Sequence, residues 1–339
     1  MVRQGAIDNP PKVPFVMGFE CAGEVEAIGE AVEDLKIGDR VIAVTDYRAW
    51  AESVCVPAQF VYKMPAGMTF QDGAAFFMNY VTAYVLLFEI GNLRPGQSVL
   101  VHSAGGGVGT ALCQLCKTVE NVTVFGTAST QKHEALKDKL DHLYDHGVDY
   151  SQEIRKISPD GVDVVLDCLC GEDTNKGISI LKPLGRYVLF GSSNVVTGET
   201  KSFFSFAKSW WHVDKISPIK LYDENKIIAG FHLRELLFKQ RRHDFVRRLV
   251  GTLFDLYTAG KIRPQIDSVW AFDDVILAMQ RMHDRANVGK IVLDPSIESK
   301  QQETIHLNLT LVTLQCQAPS DADQSTNAPT AAPKTPRTT

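Results

Sequence analysis

The fold is decided by the stretch Ser98-Val99-Leu100-Val101-His102-Ser103-Ala104-Gly105-Gly106-Gly107-Val108-Gly109-Thr110-Ala111-Leu112. It opens with small and aliphatic residues that are typical of a buried parallel strand. A glycine-rich turn follows, and residues 110–118 then have the apolar spacing of a helix. A strand, a glycine turn and a helix in this order direct free backbone N–H groups and a helix N-terminus at an anion.

The spacing Ala104-x-Gly106-x-x-Gly109 matches the dinucleotide-binding fingerprint, with alanine in place of its first glycine. In that fingerprint the glycines allow a tight turn, a close approach of the backbone to a pyrophosphate, and close packing of helix on strand. Glycine-rich turns also occur without a ligand, so the motif alone leaves an ordinary tight turn as the alternative.

The segment after the next predicted strand indicates which dinucleotide would bind. That strand, 122–125, leads into Gly126-Thr127-Ala128-Ser129-Thr130-Gln131-Lys132, and no acid follows before Glu134. A site for the non-phosphorylated cofactor usually has an Asp or Glu near this place, which binds the ribose hydroxyls. The hydroxyl of Ser129 and the ammonium of Lys132 suit a 2′-phosphate instead. The sequence therefore predicts NADPH, with a solvated turn and an exposed lysine as the alternative.

Composition excludes several classes of protein. The chain has 339 residues, of which 45% are hydrophobic, enough for two ordinary domains. Its 35 basic and 40 acidic residues give a net charge of −5, which predicts no nucleic-acid partner. We expect no transmembrane segment and no signal peptide, because no uncharged apolar run is long enough and the first residues have no apolar core. Seven cysteines, few and odd in number, predict reduced thiols in a cytoplasmic protein.

The order of predicted elements indicates an α/β fold. Turns and short strands come first, and from residue 98 strands and helices alternate, as in a doubly wound parallel sheet. Predicted strands are 41–44, 50–57, 60–64, 98–101, 122–125, 162–167, 186–190 and 288–293, and residues 19–29 also alternate like a strand. Predicted helices are 69–90 with Thr69 as N-cap, 110–118, 134–140, 152–157, 174–181, 241–257 and 272–283. Residues 297–339 are rich in Ser, Thr, Pro, Ala and Gln, and are predicted to be disordered.

Two surface features have both a structural and a functional interpretation. The aromatic segment Phe203–Trp211 could be core or subunit contact, or it could line a substrate or face a membrane. The basic face of the helix 241–257 could be merely solvated, or it could contact acidic lipid headgroups.

Several motifs occur in order along residues 1–295. They are Arg3-x-Gly5, Gly18-Phe19-Glu20-x-x-Gly23-x-Val25, Gly38-Asp39-Arg40-Val41, Thr82-Ala83-Tyr84, the glycine turn, Gly126-Thr127-Ala128-Ser129 and Gly289-Lys290-Ile291-Val292-Leu293. Together they resemble the medium-chain dehydrogenase/reductase superfamily, in its zinc-free quinone oxidoreductase branch. Residues 2–5, 118–129 and 267–270 are similar to the vesicle amine transport protein homologue-like group, whose name records a vesicle association and no reaction.

The resemblance implies a Rossmann-type doubly wound sheet plus a β-rich, GroES-like catalytic domain, with the cofactor in the cleft between them. Residues 1–90 would be the first part of the catalytic domain, 91–235 the NADPH-binding domain, and 236–296 the return to the catalytic domain. Relatives have strands before the Arg3-x-Gly5 motif, so the catalytic domain is expected to be N-terminally incomplete.

The resemblance also implies roles for single residues. Ala104 and Gly109 belong to the glycine turn itself. Thr82 would contact the nicotinamide ribose, and the backbone of Gly106, Gly107 and Val108 would contact the pyrophosphate. Ser129 and Lys132 would bind the 2′-phosphate. Leu169, Gly191 and Ser192 would lie on the nicotinamide side. Asn287 is a further candidate, and Tyr144 and His146 lie where relatives often place a tyrosine near the phosphates.

Departures from the zinc-dependent members of the superfamily predict that no metal is bound. Those members carry Gly-His-Glu where this chain has Gly18-Phe19-Glu20, so an apolar ring replaces a ligand. Cys113 and Cys116 lie on the predicted helix after the glycine turn without a second ligand pair.

Catalytic residues stay unknown, because no acid–base pair has a diagnostic spacing. His102 could be a proton relay or a strand-end histidine bonded to backbone.

Two functions from different classes follow. The first is an NADPH-dependent reductase of a small-molecule quinone or α,β-unsaturated carbonyl. The second keeps the fold without the reaction, as a vesicle- or membrane-associated protein that binds a lipid or a partner. The resemblance further predicts a homodimer formed at a sheet edge near residues 186–190.

Overall fold

The computed structural model describes residues 11–193 and 216–299. The predicted aromatic segment 203–211 and nearly all of the predicted disordered tail lie outside these residues. The chain divides into two units, Met1–Ile297 and Glu298–Thr339, and all the elements given below lie in the first.

A six-stranded parallel sheet forms the larger layer of the first unit. Its strands in chain order are β4 Ser98–Val101, β5 Thr123–Ala128, β6 His142–Asp145, β7 Val162–Asp167, β8 Leu181–Leu189 and β9 Ile227–Gly230. They lie in the order β6-β5-β4-β7-β8-β9, and every pair is parallel. From β4 the strands are added first toward one edge of the sheet and then, from β7, toward the other, which is the doubly wound order that the alternation predicts.

Helices cover both faces of this sheet. They are α2 Gly107–Cys116, α3 His133–Leu136, α4 Tyr150–Ile157, α5 Glu172–Ser179 and α6 Pro218–Glu224. Val99 and Val101 share one core cluster with Leu112 of α2, whereas Leu100 belongs to a second cluster with Ile154 of α4. Successive side chains of β4 therefore point into two cores, which explains why this strand has no polar side in the sequence.

A smaller β layer comes from the two ends of the unit. An antiparallel sheet contains β1 Glu20–Glu24, β2 Arg40–Val44 and β3 Val61–Lys63 in that order. A parallel pair joins β10 Ile266–Trp270 to β11 Lys290–Leu293. The remaining helices are α1 Phe70–Tyr84, α7 His243–Thr258 and α8 Val275–His283.

Helix α1 is the central helix of the unit. As predicted, Thr69 is its N-cap, and its hydroxyl accepts a hydrogen bond from Asp72 N at 3.0 Å. The helix continues through Phe70–Ile90, which in the described part of the chain is the one helix long and apolar enough to cross a membrane. Its most apolar window is 67% buried inside the protein, as in the core helix of a folded domain.

Some predicted elements are wrong. Residues 50–53 form bends and residues 54–57 have no regular structure, so the predicted strand 50–57 is absent. Apart from Trp50 N, which bonds to Met17 O, these residues have no ladder partner. Helix α3 ends at Leu136, well before the predicted residue 140. The helix predicted through Leu181 ends at Ser179, and Leu181 begins β8.

Strand β8 lies next to the edge strand of the described sheet. Residues 186–189 pair with β7 on one side and with Ile227–Gly230 on the other, so β9 is the edge strand. A homodimer formed at a sheet edge near residues 186–190 stays a prediction.

Candidate cofactor site

The glycine turn joins β4 to α2 and is fixed by backbone hydrogen bonds. Ser103 adopts a left-handed conformation with φ of 55° and turns the chain sharply. Gly106 N then donates to Ser103 O at 2.8 Å, and Ala104 N donates to Thr127 O at 2.9 Å, which ties the turn to β5. Gly106 is the N-cap of α2 and makes no side-chain cap, so the first N–H groups of the helix have no side-chain acceptor from it.

Close approaches explain the glycines of the turn. A Cβ at Gly109 would lie 2.3 Å from Ser103 O and 2.8 Å from Ala104 Cα, so any side chain here would push α2 away from β4. A Cβ at Gly107 would lie 2.7 Å from Asn79 Oδ1 of α1. The alanine at position 104 is tolerated, because its methyl group is fully buried against the open face of Gly126, where a Cβ would lie 3.0 Å away.

Ser129 and Lys132 lie beside the turn, after β5. The Lys132 side chain passes the turn, with Cδ only 2.9 Å from where a Cβ of Gly105 would be. Ser129 Oγ is buried and has no hydrogen-bond partner among the described residues. An orphaned hydroxyl and a cation next to free helix N–H groups fit a phosphate, which offers several acceptor oxygens.

One acid does lie near this point. Asp145, at the end of β6, pairs in register with Ala128. One of its oxygens accepts from Thr130 Oγ1 at 2.6 Å, and the other accepts from Gly147 N at 2.7 Å. Both carboxylate oxygens are thus engaged in shaping the loop, and these hydrogen bonds lower the pKa of Asp145.

Two arginines that the sequence did not point to act electrostatically on Lys132. Burial lowers the pKa of Lys132, Asp267 raises it, and the positive charges of Arg285 and Arg281 lower it further. Arg281 is itself bound by Asp267, with Nε–Oδ2 at 2.6 Å and NH2–Oδ1 at 3.0 Å. The positive charge of Arg281 is thus partly neutralised by Asp267. Arg285 has no such ion pair with Asp267, so it is the arginine that adds positive charge beside Lys132. No short-range motif could reveal it, because it follows α8 near the end of the unit.

The closing segment before β11 contacts the glycine turn directly. Gly289 N donates to Gly105 O at 2.9 Å, and Gly289 forms a β-bridge with Gly106. Asn287 Nδ2 donates to Gly289 O at 2.8 Å. The structure therefore brings Asn287 to the turn, but its amide holds the closing segment in place.

The residues predicted for the nicotinamide side lie at the carboxyl ends of β7 and β8, on the same sheet edge as the glycine turn. Leu169 N donates to Asp167 Oδ1 at 2.6 Å, so this N–H is occupied within the protein. Gly191 lies against Cys168, whose carbonyl would be 3.2 Å from a Cβ at Gly191, and Ser192 follows it. Thr82 is 9% exposed on α1, one turn after the Asn79 side chain that touches the glycine turn.

His102 is bonded to a carboxylate rather than to backbone. Its Nδ1 lies 2.9 Å from Asp167 Oδ1, and both side chains are completely buried. Nε2 has no partner in the described part of the chain. Because the ring is closed off from solvent, the structure favours neither a proton relay nor the backbone bond that the sequence predicted.

Zinc does not fit the described residues. Phe19 stands where the zinc-dependent pattern has histidine, and the Glu20 carboxylate accepts from Met78 N at 2.8 Å and pairs with Lys290. Cys113 and Cys116 are buried, and burial raises the pKa of both thiols, to about 12 for Cys113. Residues 11–193 and 216–299 contain no group of three or more potential metal ligands.

Comparison with known proteins identifies the family. Two family models match the chain, "alcohol dehydrogenase GroES-like domain" over residues 1–66 and "zinc-binding dehydrogenase" over residues 140–293. The human protein named synaptic vesicle membrane protein VAT-1 homolog-like is 65% identical over 294 residues, which are 87% of this chain and 70% of that protein. The chain belongs to the medium-chain dehydrogenase/reductase superfamily, in its zinc-free quinone oxidoreductase branch.

Solved structures agree with this assignment. A crystal structure of human synaptic vesicle membrane protein VAT-1 homolog-like protein has a TM-score of 0.77 and 56% identity, covering 88% of this chain and 85% of that chain. The GroES-like layer and the parallel sheet are thus the two halves of the superfamily fold, as the sequence predicts.

Relatives with named reactions are more distant. The quinone oxidoreductase of Lama guanicoe is 29% identical over 298 residues, which are 86% of this chain and 83% of that protein. A mycobacterial protein complexed with NADPH has a TM-score of 0.72 and 26% identity, covering 85% of this chain and 84% of that chain. The chain therefore has an oxidoreductase fold of the kind that binds NAD(P)-type cofactors.

Proposed function

We propose that the protein is a zinc-independent oxidoreductase that uses NADPH to reduce a quinone or an α,β-unsaturated carbonyl compound. The observation that carries this proposal is the orphaned, buried Ser129 hydroxyl beside Lys132, next to a glycine turn in which a Cβ at Gly107 or Gly109 would clash. A phosphate on the 2′-hydroxyl of the ribose would supply the missing acceptors.

The chain's own residues would bind and orient the dinucleotide. Backbone N–H groups at Gly107 and Val108 would donate to the pyrophosphate at the start of α2. The third predicted donor, Gly106 N, already donates to Ser103 O at 2.8 Å. Ser129 and Lys132 would hold the 2′-phosphate, and Arg285 adds to the positive potential there. NADPH supplies the hydride when it is bound.

Little further chemistry is required from the protein. Positioning a donor and an acceptor in a closed, dry cleft can account for a large part of the rate enhancement of a hydride transfer. The two sheet layers would form the walls of the cleft. The domain boundaries in this proposal lie at residues 90 and 235.

Turnover tests this function. Purified protein mixed with NADPH and a naphthoquinone or an enone should consume NADPH catalytically, and NADH should be used much less well. Because Phe19 replaces a zinc ligand, prior treatment with a chelator should leave the rate unchanged. Bound NADPH that no quinone or enone oxidises would contradict the proposal, and so would a rate that the chelator abolishes.

A second candidate is a role at the surface of vesicles, with the protein cytoplasmic and attached peripherally. Relatives up to 65% identical are named synaptic vesicle membrane proteins, which is the observation that favours it. Arg242, just before α7, and Arg248, on α7, are exposed and would face acidic headgroups, whereas Arg247 packs over Tyr62. Sedimentation with acidic liposomes that is lost when Arg242 and Arg248 are replaced would favour this role.

A further inference from the structure

The carboxylate of Asp267 is buried close to the proposed 2′-phosphate site. Asp267 lies at a bulge of β10, where Ile266 pairs with Lys290 and Ser268 pairs with Ile291, so Asp267 itself has no partner in the ladder. A bulge of this kind redirects the side chain of the extra residue, and bulges are common beside active sites. The Asp267 side chain is only 6% exposed.

Both oxygens of this carboxylate are occupied by donors. Arg281 binds them bidentately, with Nε–Oδ2 at 2.6 Å and Nη2–Oδ1 at 3.0 Å. Oδ1 also accepts from Val288 N at 2.9 Å, and Oδ2 accepts from Ser268 Oγ at 2.7 Å. Burial alone would raise the pKa of Asp267, but these hydrogen bonds, first among them those from Arg281, lower it below the usual value. The carboxylate is therefore ionised at neutral pH.

A short series of contacts joins this ion pair to the glycine turn. Val288, which donates to Asp267, precedes Gly289, whose N–H donates to Gly105 O at 2.9 Å. The Lys132 side chain passes over the same glycine, with Cδ 2.9 Å from where a Cβ of Gly105 would be. The electrostatics agree with this placement, because after burial, which lowers the pKa of Lys132, the largest influence on it is the carboxylate of Asp267.

The charge of Asp267 would oppose a phosphate bound beside Lys132. Two negative charges repel each other over several ångströms in a partly buried site, where salt and water screen them less than in solution. The guanidinium of Arg281 cancels this repulsion, since it supplies a matching positive charge at both carboxylate oxygens. NADH has no 2′-phosphate, so its binding should be nearly indifferent to this pair of charges.

We propose that Arg281 is a positioning residue that sets cofactor specificity: it neutralises Asp267 and thereby preserves the preference for NADPH over NADH. Asp267 in turn holds Val288, and with it the closing segment, against the glycine turn. Neither side chain has to touch the cofactor. This inference rests on the proposed function and deepens it, because it names the pair of charges on which the choice between the two cofactors depends.

The first variant is Asp267→Asn, which removes the negative charge but keeps an oxygen that can accept from Val288 N. Arg281 then keeps its positive charge without a counter-ion. We expect NADPH affinity to rise about threefold to tenfold and NADH affinity to stay within about twofold of the original value. Titrations followed by cofactor fluorescence measure both affinities without a substrate. The gain should shrink in about 0.5 M salt, which screens the added charge.

The second variant is Arg281→Gln, which leaves the Asp267 carboxylate without a counter-charge. NADPH affinity should fall roughly tenfold, while NADH affinity stays within about twofold of the original value. Because an uncompensated buried charge can also unfold a protein, Asp267→Asn is combined with Arg281→Gln in a double variant that has neither charge. The double variant should bind NADPH within about threefold of the original protein.

Asp163→Asn is the matched control. Its carboxylate is also held by a cation, a backbone N–H and a serine hydroxyl, with Oδ2 lying 2.8 Å from Lys182 Nζ, 2.9 Å from Ser98 N and 2.8 Å from Ser98 Oγ. These contacts are at the start of β4, whereas the glycine turn follows the end of that strand. The ratio of NADPH affinity to NADH affinity should therefore be the same in this variant as in the original protein.

The ratio of the two affinities decides between the outcomes. The proposal is overturned if Asp267→Asn leaves the ratio unchanged or lowers it, if Asp163→Asn changes it equally, or if the double variant is as poor at binding NADPH as Arg281→Gln. Quinone reduction by NADPH in a protein whose ratio ignores Asp267 would overturn the role of this pair and leave the proposed function standing. A ratio that rises in Asp267→Asn, in a protein that reduces no quinone or enone, would support the pair and refute the proposed reaction.

Discussion

At the scale of single residues, the carboxylate of Asp167 shapes the nicotinamide side of the site. Its oxygens accept hydrogen bonds from His102 Nδ1, Leu169 N, Cys170 N, Thr174 Oγ1 and the Tyr187 hydroxyl. Burial alone would raise the pKa of Asp167, but these bonds, first among them the one from His102, lower it below the usual value. The carboxylate therefore joins the ends of β4, β7 and β8 to the start of α5.

We predict that Asp167→Asn destabilises the protein by about 3–5 kcal/mol, because it leaves buried donors facing an amide. Urea unfolding measures this, and Asp160→Asn, at an exposed turn, is the control, with a change within about 0.5 kcal/mol. Since the folded pKa of Asp167 is lowered, its stabilising effect is present above the usual pKa of about 3.9 and is lost as the pH falls further. A variant as stable as the original protein, with the same acid sensitivity, would refute this role.

At the scale of elements, the packing of α2 on β4 depends on Gly109. Gly109→Ala places a Cβ against two backbone atoms, so we predict a loss of about 1–3 kcal/mol or more and weaker dinucleotide binding. Gly251→Ala on α7 is the matched control: a Cβ there meets nothing within 4 Å, so it should be neutral or should stabilise the protein by up to about 1 kcal/mol. Thermal unfolding of both variants tests this prediction. A melting temperature of Gly109→Ala equal to that of Gly251→Ala would contradict it.

Periodicity predicts the elements that have a strong apolar pattern and misses the others. β7 is predicted residue for residue, because all but one of its side chains are buried. β6, β9 and β10 are missed, since their residues are mostly half-buried and therefore have no strong apolar pattern. The glycine turn is recognisable because a steric requirement at Gly109 leaves a mark in the sequence itself.

At the scale of the whole molecule, the site is built from segments far apart in the chain. The closing segment reaches the glycine turn through Gly289, and α8 brings Arg285 toward Lys132. Tyr47 and Arg234 meet in the same way, across the β layer and the chain that leaves β9. No local motif encodes these contacts, so the sequence predicts the dinucleotide loop but neither the added cation nor the contact between Tyr47 and Arg234.

The central claim is that this fold binds NADPH through its 2′-phosphate. The most direct measurement is a titration with NADPH and NADH, followed by cofactor fluorescence, of the original protein, Lys132→Ala and Lys137→Ala. Lys137 is the control, because its side chain is 58% exposed and pairs with Glu134. We predict that Lys132→Ala weakens NADPH binding roughly tenfold to hundredfold and leaves NADH binding unchanged. Lys137→Ala should change the affinity for neither cofactor. Equal affinity of the original protein for both cofactors, or an unchanged NADPH affinity in Lys132→Ala, would contradict the account.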